Sequence, residues 1–179
     1  MKYRIPITRA LAAIVLAIAA GSIGIASPAN AGVLDLTCGG TEAITLSPGL
    51  LLTPQTVTVT SNYLYTPCVS ASDPTLTAGV IHTSATATLS CLQPNSSFSG
   101  TRTFTWNNSQ TSVFAFNETF TTVGAQYVDI RTGTITSGEF AGDTVVETVT
   151  GPTVNLLDCL APPGITSRTS VITLEITSI

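Results

Sequence analysis

Positive charge is the scarcest property of this 179-residue sequence, which has six Lys and Arg residues against ten Asp and Glu. Its only lysine is Lys2, and Arg4 and Arg9 follow closely, so the chain from residue 32 onward keeps three Arg against ten carboxylates, a formal charge of −7. Clustered Lys and Arg drive binding to nucleic acids and to anionic membrane surfaces. The composition therefore argues against both as partners.

Helical periodicity is missing as well, because no segment after residue 31 carries the i, i+3, i+4 apolar pattern over three turns. Charged residues of either sign make up only 9% of the chain, whereas hydrophobic residues make up 44%. A chain with that much apolar surface collapses in water, unlike a disordered one. We therefore expect a folded domain without long helices.

The N-terminus has the three parts of a secretory signal peptide. A basic segment, residues 1–9, precedes the apolar segment 10–20, and Ala29-Asn30-Ala31 supplies an A-x-A cleavage site. The apolar segment is shorter than the roughly 20 residues that a membrane span needs. The sequence predicts that residues 1–31 are a cleaved signal peptide and that residues 32–179 form one secreted, extracellular domain.

Four cysteines follow the predicted signal: Cys38, Cys68, Cys91 and Cys159. An even number in an exported chain, with no C-x-x-C pair, favours two disulfides over a metal or redox site. Of the three possible pairings we favour Cys38 with Cys68 and Cys91 with Cys159. Similar segments surround the second pair, Leu-Ser-Cys-Leu at 89–92 and Leu-Asp-Cys-Leu at 157–160, as equivalent strand ends would be.

Threonine dominates the predicted domain, with 31 of its 148 residues. Threonine is β-branched, so it favours extended backbone, and its hydroxyl keeps a solvent-facing side wet without charge. Short alternating segments separated by turn residues such as Gly39-Gly40 predict an all-β fold, an antiparallel two-sheet sandwich of the Ig-like or Greek-key type. The predicted strands are 33–38, 41–47, 55–66, 76–91, 101–107, 111–122, 126–137, 143–150 and 169–178.

One predicted hairpin, 101–122, carries most of the large aromatic side chains. A three-residue loop, Asn108-Ser109-Gln110, would place Phe104 opposite Phe114 and put four aromatic rings on one face, those of Phe104, Trp106, Phe114 and Phe116. We expect this face to be the centre of the core. Glu118 is expected to pair with Arg102 across the hairpin, and Asp129 with Arg131 along one strand face; if exposed, each pair would stabilise the fold only weakly.

The pattern resembles the small exported all-β proteins of actinobacteria, for which no activity is assigned. The resemblance is carried by the A-x-A signal, the early Cys38, the segment Leu46-Ser47-Pro48-Gly49-Leu50 before a Thr-Val ladder, and the segment Ile135 to Asp143. It implies an exported β-domain and leaves the activity open.

Catalysis is not favoured by the residues present. A serine hydrolase needs a nucleophile, a base and an orienting carboxylate, but His82 is the only histidine and no Gly-x-Ser-x-Gly turn occurs. A glycosidase needs two carboxylates in a cleft, and a chain of this length leaves little material for cleft walls. We predict no catalytic residue and no cofactor.

Two binding chemistries are open. Tyr63, Tyr65 and Tyr127 are possible ligand-binding residues, because exposed rings stack on sugars, although rings buried at a sheet edge with hydrogen-bonded hydroxyls are the favoured explanation. No regular calcium-binding spacing occurs, so no metal is predicted, and the weak calcium candidates are Glu139, Asp143 and Asp158.

These features predict a secreted, non-catalytic β-sandwich that acts as a binding or structural module at the cell exterior. Its partner would be a protein or a cell-wall glycan, with no nucleic acid and no membrane insertion after signal removal. The alternative is a small secreted inhibitor or toxin-associated subunit, and a small hydrolase is the least favoured reading.

Overall fold

A computed structural model describes residues 32–92 and 98–179, so the predicted signal peptide lies outside the described residues. Eight antiparallel strands follow one another, and a single-turn 3-10 helix, Leu156–Cys159, precedes the last strand. The strands are β1 Leu34–Leu50, β2 Gln55–Ser70, β3 Gly79–Leu89, β4 Ser99–Trp106, β5 Thr111–Val123, β6 Gln126–Gly138, β7 Thr144–Pro152 and β8 Ile165–Thr177.

The strands form one closed barrel, and this corrects the predicted two-sheet sandwich. Each strand pairs with the next, and β1 also pairs with β8, from Leu34 opposite Thr177 to Leu50 opposite Ile165. A sandwich and a barrel show the same alternation of buried and exposed side chains along a strand, so alternation does not distinguish them. The pairing of β1 with β8 distinguishes the two folds, because it leaves β1 without a free edge.

The prediction of a turn at Gly39-Gly40 is wrong. The two glycines lie inside the 17-residue strand β1. The pairing with β2 changes register there, from Cys38 opposite Cys68 to Gly40 opposite Tyr65, which is a β-bulge. A side chain on Gly40 would place its Cβ 2.4 Å from the backbone oxygen of Leu64. Glycine therefore permits a close approach of two strands, and the two predicted strands merge into one.

The two barrel ends differ in their packing. The end with the loops 71–78, 107–110 and 139–143 is filled by aromatic rings and is called here the aromatic end; the other end, with the loops 51–54, 124–125 and 153–164, is called the distal end. Four predicted core rings, those of Phe104, Trp106, Phe114 and Phe116, are all buried in the interior.

The aromatic hairpin has a three-residue loop, as predicted, but the loop begins one residue earlier. The Trp106 N–H donates to the Gln110 carbonyl at 2.9 Å, so the loop is 107–109, and Arg102 rather than Phe104 lies opposite Phe114. The ring of Phe104 stacks on that of Trp106 with 4.9 Å between centroids. The observed register of the hairpin differs from the predicted one by two residues. Side chains alternate between the two faces with a period of two, so all four rings stay on the same face.

Both predicted disulfides, Cys38–Cys68 and Cys91–Cys159, are present. The first joins the neighbouring strands β1 and β2. The second joins the segment after β3 to the 3-10 helix, and it packs in a second apolar cluster near the distal end with Leu46, Leu50 and Val57.

The outer wall of the barrel is rich in threonine and nearly free of charge. Cross-strand hydroxyl rows form there, for example Thr45 opposite Thr60 and Thr60 opposite Ser84, whose oxygens lie 3.3 Å apart. Outward-facing positions of the strands hold three ionisable side chains: Asp35, His82 and Glu175. Among the described residues no helix is long and apolar enough to cross a membrane.

Candidate functional site

The barrel interior holds a buried cluster of charged side chains beside the aromatic core. The Arg131 guanidinium contacts three carboxylates: Glu118 at 2.9 Å, Glu147 at 2.8 Å, and Asp129. Arg102 lies 3.3 Å from Glu147 and 3.8 Å from Glu118. The predicted pairs of Arg102 with Glu118 and of Asp129 with Arg131 are confirmed, but they lie inside the barrel, where ion pairs are screened far less than on a surface.

The cluster has three carboxylates and only two guanidiniums. Asp129 is the carboxylate whose negative charge is least stabilised, because it contacts Arg131 alone, whereas Glu118 and Glu147 each contact both arginines. One of its oxygens contacts Arg131, whereas Oδ1 is buried without a hydrogen-bond partner. Burial raises the pKa of Asp129 from 3.8 to about 7, against the opposing effect of the Arg131 charge. The negative charges of Glu118 and Glu147 contribute to this raised pKa.

The three tyrosines predicted as possible ligand-binding residues do not form an exposed platform, because all three rings are buried inside the barrel. The Tyr65 hydroxyl donates to Glu147 Oε1 at 2.5 Å, and burial raises the pKa of Tyr65. Tyr63 lies under Arg102, with 4.7 Å between the guanidinium carbon and the ring centroid. Tyr127 is stacked in the same way under Arg168, at 4.4 Å. Their role in ligand binding stays a prediction.

A solvent-accessible groove opens in the barrel wall where β7 and β8 separate. The two strands pair from Thr144 opposite Thr177 to Thr150 opposite Val171, and beyond that point they diverge. Two adjoining cavities of about 530 and 320 Å³ follow the gap and share Pro152 and Thr169. We call this the β7–β8 groove. The larger cavity is lined by Thr41, Glu42, Ala43, Gln126, Thr150, Gly151, Pro152, Thr169, Ser170 and Val171.

Glu42 is the most informative side chain of the groove. It lines the larger cavity yet is only 3% exposed, and it occupies an inward-facing position of β1. Its carboxylate interacts with the Tyr63 hydroxyl, but no Arg or His of the described chain lies within 4.0 Å of it. The other three interior carboxylates all contact an arginine, so Glu42 differs from them in having no cation.

Three hydroxyl-bearing residues line the groove near Glu42 in sequence or across the strand pair. Ser170 lies opposite it on β8 and shares a hydrogen bond with the Tyr127 hydroxyl. Thr41 and Thr169 are exposed on the outer side of the same strands. The groove therefore combines one buried negative charge and the Ser170 hydroxyl on the inner side of the wall with two threonine hydroxyls on the outer side.

The remaining candidates lie elsewhere. His82 is on the outer wall, where its Nδ1 lies 2.7 Å from the Asn62 side-chain oxygen. Of the calcium candidates, Glu139 and Asp143 lie at the aromatic end, whereas Asp158 lies in the 3-10 helix at the distal end. Within residues 32–92 and 98–179, no group of three potential metal-binding side chains occurs.

Sequence reasoning missed Glu42, although a signal was available. Glu42 has the same strand parity as Ile44 and Leu46, so alternation places it inside with them. Glu118 follows the same rule with Phe114 and Phe116. A carboxylate on the apolar face of a strand is thus a readable sign of an interior charge.

Comparison with known proteins identifies no family. No protein-family model, curated protein or solved structure matches this chain. The function must therefore be inferred from the groove and the charged interior.

Proposed function

We propose that this protein is a secreted, non-catalytic binding module of the cell exterior, and that its β7–β8 groove binds a hydroxyl-rich ligand carrying a protonated amine. The observation that carries the proposal is Glu42, a buried carboxylate at the floor of an open groove with no cation beside it. The two disulfides support an oxidising compartment. The arginines of the interior cluster are neutralised by carboxylates, which supports a structural role for that cluster.

A buried carboxylate with no cation beside it is costly, because it has lost water and gained no counter-charge. An ammonium group in the groove would supply that charge and donate up to three hydrogen bonds. The formal charge of −7 after residue 31 also attracts a cationic ligand over several ångströms.

The surroundings of Glu42 favour an amine with several hydroxyl groups over a simple alkylamine. Thr41, Thr169 and Ser170 can each donate and accept hydrogen bonds, and Gln126 adds an amide. Amino sugars combine both features, since a free 2-amino group is positively charged and its neighbours are hydroxyls. The proposed ligand class is therefore an amino-sugar glycan of the cell exterior.

Calorimetric titration with glucosamine oligomers tests the proposal, with the matching N-acetylated oligomers as the comparison. We expect binding of the free-amine oligomers, at least tenfold weaker binding after Glu42→Gln, and much weaker binding of the acetylated series. Glu175→Gln is the matched control, because Glu175 is exposed on the outer wall and its loss removes the same charge. Equal affinity of the wild type and the Glu42→Gln variant, with both folded, would refute the role of Glu42.

A protein partner is the second candidate, favoured by one observation at the distal end. Leu92 and Leu160 directly follow the two bonded cysteines and are 64% and 65% exposed. The Cys91–Cys159 bond holds these side chains on a rigid base, as an inhibitor loop requires. Pull-down of a secreted enzyme that is lost after Leu92→Ser with Leu160→Ser, and kept after Val146→Ser on the outer wall, would support this function.

A further inference from the structure

The barrel wall has a second interruption, between β3 and β4. These strands pair only at Gly79 opposite Trp106 and at Val80 opposite Thr105. On its other side β3 pairs with β2 along its whole length, from Tyr65 opposite Gly79 to Gln55 opposite Leu89. From Ile81 to Leu89, the edge of β3 that faces β4 therefore has no strand partner within the described part of the chain.

This edge is accessible. All side chains from His82 to Thr88 are exposed, including Thr83, Ala85 and Ala87, which have the inward parity of the buried Ile81. In a complete barrel wall such positions would be covered by the neighbouring strand and the core. Within residues 32–92 and 98–179, a row of backbone N–H and C=O groups thus has no strand partner and is open to a further strand.

The edge also has none of the usual protection against strand pairing. The segment Gly79–Leu89 contains no Lys, Arg, Asp, Glu or Pro. Its pairing with β2 shows no bulge or register shift. Natural edge strands are commonly protected by a lysine, a proline or a bulge, so a straight and uncharged edge indicates a strand that pairs with another chain.

We infer that β3 is a docking edge for a second copy of this chain, with the two β3 strands antiparallel about a two-fold axis at Ala85. Ala85 would then lie opposite itself, Ser84 opposite Thr86, and Thr83 opposite Ala87. Small side chains meet on the inner face and hydroxyls meet on the outer face, where cross-strand Ser and Thr pairs stabilise sheets. An isologous contact of this kind needs a self-complementary segment, and this segment is one.

Charge favours a second copy despite the net charge of each molecule. The outward-facing positions of β2 and β4 carry no charged side chain, and on β3 the only ionisable one is His82. The carboxylates outside the barrel interior lie elsewhere: Asp35, Asp73, Glu139 and Asp143, all partly exposed, at the aromatic end, Asp158 at the distal end, and Glu175 on β8. Two molecules can therefore approach through β3 without bringing carboxylates together. Nine residues on each edge make a small interface, so the dimer is weak, with dissociation in roughly the micromolar to millimolar range.

Sedimentation velocity of the intact secreted protein at increasing concentration tests this inference. We expect a reversible monomer–dimer equilibrium. Ala85→Lys places two ammonium groups opposite each other at the axis, so its dimer should weaken at least tenfold. Thr132→Lys, on the outer face of β6, adds the same charge away from the contact and should leave the equilibrium unchanged.

Cross-linking gives a positive test that does not depend on weakening a variant. Together the two native disulfides use all four cysteines of the described chain, so an added cysteine would be its only free thiol. Ala85→Cys should form a disulfide-linked dimer under mild oxidation, and Thr132→Cys should not. A monomer at every concentration, or equal cross-linking of the two variants, would overturn the inference. The inference would also be overturned if a different protein copurified with the wild type and no longer did so with the Ala85→Lys variant. None of these outcomes bears on the groove, because β3 is not part of it.

Discussion

Glu147 is completely buried inside the barrel, and its Oε2 lies 2.8 Å from Nη1 of Arg131. The same oxygen lies 3.3 Å from Arg102, and the other carboxylate oxygen accepts the Tyr65 hydroxyl. Glu147 thus links three strands, β2, β4 and β6, to its own strand β7. Its partners satisfy both oxygens, which is the condition under which a buried charge is tolerated.

Removal of the Glu147 charge should destabilise the protein strongly. In Glu147→Gln the two guanidiniums lose one of the two carboxylates that they share, and breaking a buried pair of this kind costs about 3–5 kcal/mol. Urea unfolding measures the free energy of unfolding. Glu175→Gln on the outer wall is the control and should change it by less than about 0.5 kcal/mol. Similar losses in the two variants would show that the interior cluster contributes little.

The pH dependence of stability should contain a contribution from Asp129. Its pKa is raised to about 7 in the folded protein from an ordinary value of 3.8, so between these values the folded chain holds a proton that the unfolded chain has lost. The free energy of unfolding therefore falls as pH rises from about 4 to about 7, by up to about 1.4 kcal/mol per pH unit from this group.

Asp129→Asn should remove this contribution, so the variant should gain stability relative to the wild type as pH rises. Urea unfolding at pH 4, 5.5, 7 and 8 measures the difference. The groups that face Asp129 are Arg131, Arg102, Glu118 and Glu147, and all remain in the variant. A stability difference that is constant across this range would contradict the raised pKa.

Loss of the Cys91–Cys159 disulfide should cost more than loss of Cys38–Cys68. The first closes a loop with a sequence separation of 68 and the second one of 30. Chain entropy gives about 4.4 and 3.6 kcal/mol for loops of these lengths. Paired Cys→Ala variants compared by thermal unfolding test the order, and a larger loss for Cys38–Cys68 would contradict it.

Gly133→Ala should be among the most damaging single-methyl changes in the chain. A Cβ at this inward-facing position of β6 would lie 1.9 Å from the backbone oxygen of Ala115 on β5. The two strands must separate to admit it, at an expected cost of about 3 kcal/mol. Thr132→Ala, at the adjacent outward position, is the control. Chemical unfolding of both variants provides the comparison, and near-equal stabilities would show that the sheet adapts without cost.

Several elements were predictable because their signals are local. The aromatic face of the hairpin was predictable because Phe104, Trp106, Phe114 and Phe116 all occupy even-numbered positions of their strands. A shift of the strand register by two residues keeps all four on the same face. The register itself depends on where the loop begins, which the asparagine-rich segment left open. Gly39-Gly40 was misread because close strand approach and turn formation both favour glycine.

The candidate site was less accessible from the sequence. The pairs of Arg102 with Glu118 and of Asp129 with Arg131 were predicted from neighbouring strand positions, but their burial was not. Whether they are buried depends on which side of the sheet is enclosed. The inward position of Glu42 was readable from strand parity, but the lack of a cation beside it depends on the positions of side chains from distant strands.

The sequence by itself determined the extended backbone, the alternation of inner and outer side chains and the aromatic core face, and it indicated two disulfides without fixing their pairing. These follow from the period of two along a strand, from β-branched residues and from the count and surroundings of the cysteines. Only the tertiary structure decided that β1 meets β8, so that one sheet encloses all three arginines and four carboxylates of the described chain. Closure of the barrel depends on pairing between β1 and β8, whose residues lie more than a hundred positions apart. The same pairing places Glu42 of β1 beside the gap that opens where β7 and β8 diverge.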